Sequence, residues 1–300
     1  MPGSVGFGAR GVLASVGSAV AFAGIYFITP FLHPISAEGL WAIRAILTVP
    51  IIVLALLVVR QWHLVTQIWQ RIKRKPILLP ALLVCGLAVS VQLWLFGWAP
   101  LHGRGIQVAL GYFLLPLVLV VIGRFLYKDR LTWWHWTAAG VAAVGVGYEL
   151  VRAGGFSWET VLVVGGYPIY FVLRRAIGTA NLGGMFWELG LLAPLAIVLI
   201  VLELVARDTM AVNPMLWWLA PVFAIGSGIA LILYVTASRL LALSLFGLLS
   251  YLEPALLMVA SFLNGEQVDP AELPMYIAIW IAVLTILVGG TMQIIRSRRT

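Results

Sequence analysis

Long apolar runs, one after another along the chain, constrain its fold more than any other feature. Ten such runs of roughly twenty residues are separated by charges, prolines and glycines, and no polar stretch between them is long enough for a soluble domain. About 20 apolar residues in a helix cross the hydrocarbon core of a bilayer. Of the 300 residues 62% are hydrophobic and 10% charged, whereas a soluble protein carries roughly 25% charged residues. The sequence therefore predicts an all-α polytopic membrane protein.

The runs give ten predicted transmembrane spans. The first lacks a small-residue cleavage site, so we interpret it as a retained span and not as a signal peptide. The predicted spans are 11–29, 37–60, 77–98, 106–127, 132–151, 158–176, 184–206, 216–239, 243–264 and 274–295.

The basic residues predict the orientation. With a cytoplasmic N-terminus, fifteen of the 19 Lys and Arg residues fall in inside segments, three fall outside, and Arg44 lies within a span. This distribution obeys the positive-inside rule, so we expect both termini in the cytoplasm of a multi-pass protein of the cytoplasmic (inner) membrane. The net charge of +8 then reflects topology, and we predict no nucleic-acid partner. The inside loop 61–76 has the composition of an amphipathic helix on the membrane surface, which is one interpretation beside a binding role.

Ten spans divide into two groups of five, an odd number, so repeated halves would lie upside down relative to each other. Pro116 precedes Asp129 by 13 residues and Pro254 precedes Glu266 by 12. This similar spacing is a weak sign of an internal repeat. Inverted repeats provide two-sided access to a site near the midplane in secondary transporters. We therefore predict two inverted five-helix repeats, 1–151 (spans one to five) and 152–300 (spans six to ten).

Several motifs together resemble the RarD-type branch of the EamA family in the drug/metabolite transporter (DMT) superfamily. The resemblance covers roughly 35–285. The motifs are Ala109–Leu117, the segment 129–131, Trp133–Trp136, Glu38 with Arg44, Tyr170 with Leu173–Arg175, Glu188 with Pro194, Arg239–Leu240 leading to Ser244, Tyr251 and Pro254, Gly265–Glu266, and Ile279–Trp280.

The resemblance implies a ten-helix permease with the EamA/DMT fold that exports small metabolites or drugs. The chain departs from the family pattern at several polar positions, and one extra residue separates Arg239 from Ser244. The other departures are Gln92, Gln107, Ala109, Leu115–Leu117 and Glu253. The resemblance therefore implies transport but no particular substrate.

Three charged residues lie inside predicted spans and away from the span ends, where an ionised side chain costs about 2.5–3.5 kcal/mol on insertion scales. Arg44 is a candidate clamp or gate for an anionic group, while Glu188 and Glu253 are candidate proton-coupling or cation sites. The alternative is that Arg44 forms a fixed ion pair with one of these acids. Most other charges lie close enough to a span end to reach water.

Polar and aromatic residues extend this candidate site. Stacking and cation–π contacts from such side chains would suit a flat or cationic solute, although lipid or bundle packing is the alternative for each alone. These substrate-binding or gating candidates are Trp41, Gln92, Trp94, Trp98, Tyr112, Tyr251 and Trp280.

The remaining chemistry is sparse. The four histidines have no ligand spacing, and the chain has no phosphate-binding loop and no nucleophile–base pair, so we predict no metal, no cofactor and no enzymatic activity. We predict a secondary active permease that exports or exchanges small organic solutes by alternating access, with proton coupling as one energy source. The alternatives are import of an amino acid or quaternary amine and, more remotely, lipid scrambling. The expected partners are the substrate and membrane lipids, and the expected assembly is a monomer or homodimer.

Overall fold

The structure is a computed structural model that describes residues 4–102, 104–129, 131–207, 209–265 and 270–297. Every α-helix and 3-10 turn within these ranges follows the apolar runs or the loops between them, and the ranges contain no strand. The α-helices are α1 Ser4–Ile28, α2 Ala37–Val58, α3 His63–Arg74, α4 Leu78–Leu101, α5 Gly105–Phe125, α6 Trp133–Arg152, α7 Trp158–Ala176, α8 Leu182–Arg207, α9 Thr209–Val212, α10 Leu216–Leu240, α11 Leu243–Leu249, α12 Leu252–Leu263 and α13 Leu273–Ser297.

Six of the described helical segments are long and apolar enough to cross a membrane, which makes this an all-helical polytopic membrane protein. Helix α7 has the length but carries Glu159, Arg174 and Arg175 at its ends. The six segments are Ala9–Leu32, Ala37–Val58, Leu78–Ala99, Gln107–Phe125, Leu182–Glu203 and Leu216–Leu240. Of the predicted charge and motif positions, Arg130, Glu266, Arg298 and Arg299 lie outside the described residues.

The ninth predicted span differs from the structure. Instead of one helix over 243–264, α11 ends at Leu249 and α12 begins at Leu252, with a turn between them. Ser250 donates from its hydroxyl to the Phe246 carbonyl and so closes the end of α11. Pro254 has no backbone N–H, and the first turn of a helix is the place where that loss is tolerated. The break therefore falls just before Glu253.

Polar contacts tie the ends of the helices together. At one end, here called the basic end, lie α3, the α7–α8 turn and the α10–α11 turn. There the Ser244 backbone N–H donates to Asp129 at 2.9 Å. At the opposite end Arg104 donates to Glu159, and this hydrogen bond raises the pKa of the Arg104 guanidinium. Both ties join segments on either side of the predicted repeat boundary at 151/152.

Helix α3 has a strongly one-sided apolar face, but that face packs against protein. Ile68 is buried, and the Trp69 ring stacks on Trp187 of α8 at 5.5 Å. Arg71 donates to the carbonyls of Ile177 and Gly178 in the α7–α8 turn, at 2.6 and 3.2 Å. The loop between the second and third predicted spans is thus a docked helix, with half-exposed Trp69 at its edge.

Candidate functional site

Arg44 lies two turns into α2, and its side chain is almost completely buried. The guanidinium carbon is 5.6 Å from the centroid of the Phe223 ring on α10, within cation–π range. Among the described residues its Nε atom has no hydrogen-bond partner, and no carboxylate forms an ion pair with it. The Nε1 atom of Trp41, three positions earlier, is also buried without a partner in that part of the chain. Among the described residues, Arg44 is therefore a buried charge without a carboxylate in ion-pair contact.

Three tyrosines from three helices form one group, and two of them, Tyr112 and Tyr167, lie beside Arg44. The rings of Tyr112 on α5 and Tyr167 on α7 are 6.0 Å apart, and those of Tyr167 and Tyr234 on α10 are 6.3 Å apart. Arg44 lies within electrostatic range of Tyr112 and Tyr167. The hydroxyls and ring faces of these side chains combine hydrogen bonding with stacking.

Further aromatic rings continue this wall on both sides of the tyrosines. Phe96 on α4 contacts Tyr112 edge-on at 6.0 Å, and Tyr26 on α1 contacts Phe96 at 5.7 Å. On the other side, Phe246 on α11 contacts Tyr234 at 4.9 Å. Six helices thus contribute rings to one continuous aromatic lining.

Glu253 faces the same tyrosines from the first turn of α12. Its carboxylate lies within electrostatic range of Arg44, Tyr112, Tyr167 and Tyr234. Part of the residue's surface remains accessible, whereas its neighbours Leu252 and Pro254 are buried. Among the described residues its side chain has no hydrogen-bond or ion-pair partner within contact distance. Arg44 and Glu253 are therefore opposite charges within electrostatic range of each other and of Tyr112 and Tyr167.

Glu188 occupies a different environment near the basic end. Its carboxylate accepts a 2.8 Å hydrogen bond from Nε of Arg174 and a 3.3 Å hydrogen bond from the Tyr170 hydroxyl. Arg174 also donates to the carbonyls of Thr179 and Asn181 in the α7–α8 turn. In the structure the partner of Glu188 is therefore Arg174. The position of Arg174 near a helix end suggested that its side chain reaches water, but the side chain is buried.

The other sequence candidates do not form a single group. Nε2 of Gln92 donates to a carbonyl of α7, and Nε1 of Trp94 donates to Glu38 near the end opposite α3. Trp98 contacts the ring of Trp94 at 5.4 Å in the same region. Tyr251 is completely buried at the α11–α12 turn.

Trp280 is partly buried against the core. The structure brings together Arg44, Tyr112 and Glu253, and the contacts of Trp94 and Trp98 belong to a separate cluster. No group of three His, Cys, Asp or Glu side chains among the described residues could hold a metal ion.

Sequence analysis missed Tyr167, Tyr234 and Phe223. Tyr167 follows two glycines and precedes Pro168, a pattern that breaks an otherwise apolar helix and is similar to the Tyr-before-Pro pattern of the other candidates. Tyr234 and Phe223 lie in uninterrupted apolar sequence and carry no comparable signal.

The relatives of the chain identify its family. The "Chloramphenicol-sensitive protein RarD" of Pseudomonas aeruginosa is 36% identical over 278 residues, which cover 92% of each chain. The chain belongs to the RarD-type transporters. An "Uncharacterized transporter" of Haemophilus influenzae is 34% identical over 281 residues and 94% of each chain. A "Protein RarD" of Streptomyces exfoliatus is 24% identical over 272 residues. No family profile matches the chain.

The fold also has a solved counterpart. A structure described as "Crystal structure of protein" superimposes with a TM-score of 0.63 and 18% identity, covering 92% of this chain and 96% of that chain. At this identity the likeness concerns the fold alone. The relatives named RarD are consistent with placement of this chain in the DMT/EamA superfamily.

Proposed function

We propose that this RarD-type transporter is a secondary active permease that moves small organic solutes by alternating access, with ten spans in two inverted five-helix repeats. Exchange of the first five spans with the last five relates α1 to α7, α2 to α8, α4 to α10, α5 to the pair α11–α12, and α6 to α13. Under this exchange the main helix contacts map onto each other. Contact α1–α10 corresponds to α4–α7, α5–α7 corresponds to α1–α12, and α2–α10 corresponds to α4–α8. The contacts α2–α8, α5–α11 and α6–α13 map onto themselves. This symmetry supports the inverted repeat.

The placement of Arg44 and Glu253 beside the same tyrosines, without an ion pair between them, carries the functional proposal. A buried arginine without a carboxylate partner costs free energy unless a ligand provides the counter-charge. We assign Arg44 to an anionic group of the solute, Tyr112, Tyr167 and Tyr234 to its apolar or aromatic body, and Glu253 to a cationic group or a proton. An amino acid or a related small metabolite has this distribution of charge.

Export or exchange is our preferred direction, with the basic end facing the cytoplasm according to the positive-inside rule. Import of an amino acid or quaternary amine would use the same site under the opposite gradient. Glu253 is the preferred proton-coupling residue, because the carboxylate of Glu188 already has a guanidinium partner.

The experiment is a ligand screen followed by flux. The purified protein is subjected to thermal-shift assays with amino acids, quaternary amines, nucleosides and chloramphenicol, the compound named in the P. aeruginosa relative. Solutes that stabilise the protein are then tested for uptake into proteoliposomes. We expect a saturable shift for one chemical class that is lost in Arg44→Met and retained in Arg10→Met, which removes an exposed arginine.

Equal shifts in Arg44→Met and Arg10→Met would reject Arg44 as a binding residue. Stabilisation by lipids alone, with no response to any solute, would favour the lipid-handling alternative over solute transport.

A further inference from the structure

A cavity lies between α2, α8 and α10, near the end of the bundle opposite α3. Its volume is about 210 Å³, and its walls are almost entirely apolar. Ile35, just before α2, and Leu47 within α2 line it, so it extends along roughly 18 Å of this segment at a rise of 1.5 Å per residue. Ile200 of α8 and Ala220 of α10 form the facing walls. The cavity is long relative to its volume.

The cavity opens between α8 and α10. Helix α2 packs extensively against both, whereas α8 and α10 touch each other at few points. Exposed apolar side chains border the gap, among them Val198 and Leu202 on α8 and Trp217 and Val222 on α10. In a membrane protein such exposed apolar surfaces face lipid. The gap is therefore a lateral opening toward the bilayer.

Polar groups are confined to the mouth of this cavity at the helix ends. Glu203 is occupied there, because it accepts hydrogen bonds from the backbone and hydroxyl of Ser36. Thr209, in the short helix that follows α8, is buried, and its hydroxyl has no hydrogen-bond partner among the described residues. A buried hydroxyl without a partner costs about 1–3 kcal/mol, so a ligand oxygen at this position would stabilise the site.

We propose that this cavity binds one acyl chain of a membrane phospholipid, with the Thr209 hydroxyl donating to an ester oxygen at the head of the chain. The cavity presents its groups in the order in which a phospholipid carries the matching ones. One unpaired donor lies at the membrane surface, where the ester lies, and an apolar cavity lies below it, where the acyl chain lies. The lateral opening admits a ligand from the bilayer. An acyl chain bound in the cavity would contact α2 and α10, the helices that carry Arg44 and Phe223. Lipid binding would therefore affect the geometry of the transport site.

The test is photo-crosslinking in nanodiscs with a phospholipid that carries a diazirine midway along one acyl chain. We expect peptide mapping to find crosslinks concentrated at Leu47, Ile200 and Ala220. Ala220→Leu should fill the cavity and lose these crosslinks. Ala143→Leu makes the same change at an exposed position of α6 and should keep them. Crosslinks spread evenly over the lipid-facing surface, or unchanged in Ala220→Leu, would overturn the proposal.

A second variant tests the hydrogen bond between Thr209 and the ester end of the acyl chain, without adding volume to the cavity. Thr209→Val keeps the branched shape and removes the hydroxyl, so the bound phospholipid should dissociate from the protein at lower collision energy in native mass spectrometry. Retention equal to that of the unmodified protein would exclude the hydrogen bond to Thr209. Because this measurement needs no transported solute, its result tests lipid binding independently of the transport proposal.

Discussion

Arg174 donates a 2.8 Å hydrogen bond to Glu188, and the two side chains are 1% and 0% exposed. Arg44 is nearly as buried, yet within the described residues no carboxylate lies within ion-pair distance of it. Among the described residues, Arg174 is thus a buried arginine in an ion pair with a carboxylate, and Arg44 is a buried arginine without one. Removing one partner of a buried ion pair leaves an uncompensated charge behind, whereas removing an unpaired buried charge leaves none, so the two arginines should respond differently to the same substitution.

Arg174→Met should strongly destabilise the protein, because Glu188 would remain as an uncompensated buried charge. We expect a loss of about 3–5 kcal/mol in the free energy of unfolding, measured by denaturation in detergent micelles. The double variant Arg174→Met/Glu188→Leu should recover much of this loss. Full stability of the single variant would contradict a structural role for the pair.

Arg44→Met should leave the free energy of unfolding unchanged or raise it, since the substitution removes a buried charge without a partner. Flux of the solute identified by the ligand screen should fall to background in proteoliposomes. Loss of folding in Arg44→Met would instead support a fixed ion pair.

Glu253→Gln should abolish the dependence of flux on pH if this carboxylate carries the coupling proton, because the amide cannot titrate. The measurement is the initial rate of uptake at a series of external pH values. Glu188→Gln serves as the comparison and should lower stability while leaving the pH profile of the remaining flux intact. A pH dependence retained in both variants would exclude proton coupling through either residue.

Gly86→Ala should loosen the contact between α4 and α8, because a Cβ atom at this position would lie 2.5 Å from the Glu188 carbonyl oxygen. Gly140→Ala is the matched control, since a Cβ atom there meets no other atom within 4 Å. Alanine in a helix is favoured over glycine by about 1 kcal/mol, so the control should be neutral or slightly stabilising. Thermal unfolding of the two variants side by side checks the difference.

The helices could be predicted from sequence because length and hydropathy determine them, and the predicted and observed bounds agree within a few residues apart from α1 and the break in the ninth run. The partner of Glu188 could not be predicted, because Arg174 lies near a helix end, where a long side chain reaches either water or the interior. Only the α7–α8 turn, whose carbonyls hold the guanidinium, decides between the two.

The candidate site shows the same limit. Arg44, Tyr112 and Glu253 stand out in sequence as a charge or as residues next to prolines. Tyr234 and Phe223 do not, because an aromatic residue in an apolar helix has the same local pattern whether it faces lipid, another helix or a ligand. Their place in the site follows from the way α10 packs against α1 and α2, a long-range property.

The docking of α3 has a mechanical consequence. This helix is joined by the chain to α2 and α4, yet Arg71 and Trp69 hold it on the turn between α7 and α8. Docking of α3 therefore links the end of α2 and the start of α4 to the turn between α7 and α8. Any motion of that turn relative to α2 and α4 must either carry α3 along or release it, and separation of the stacked Trp69–Trp187 pair would mark its release.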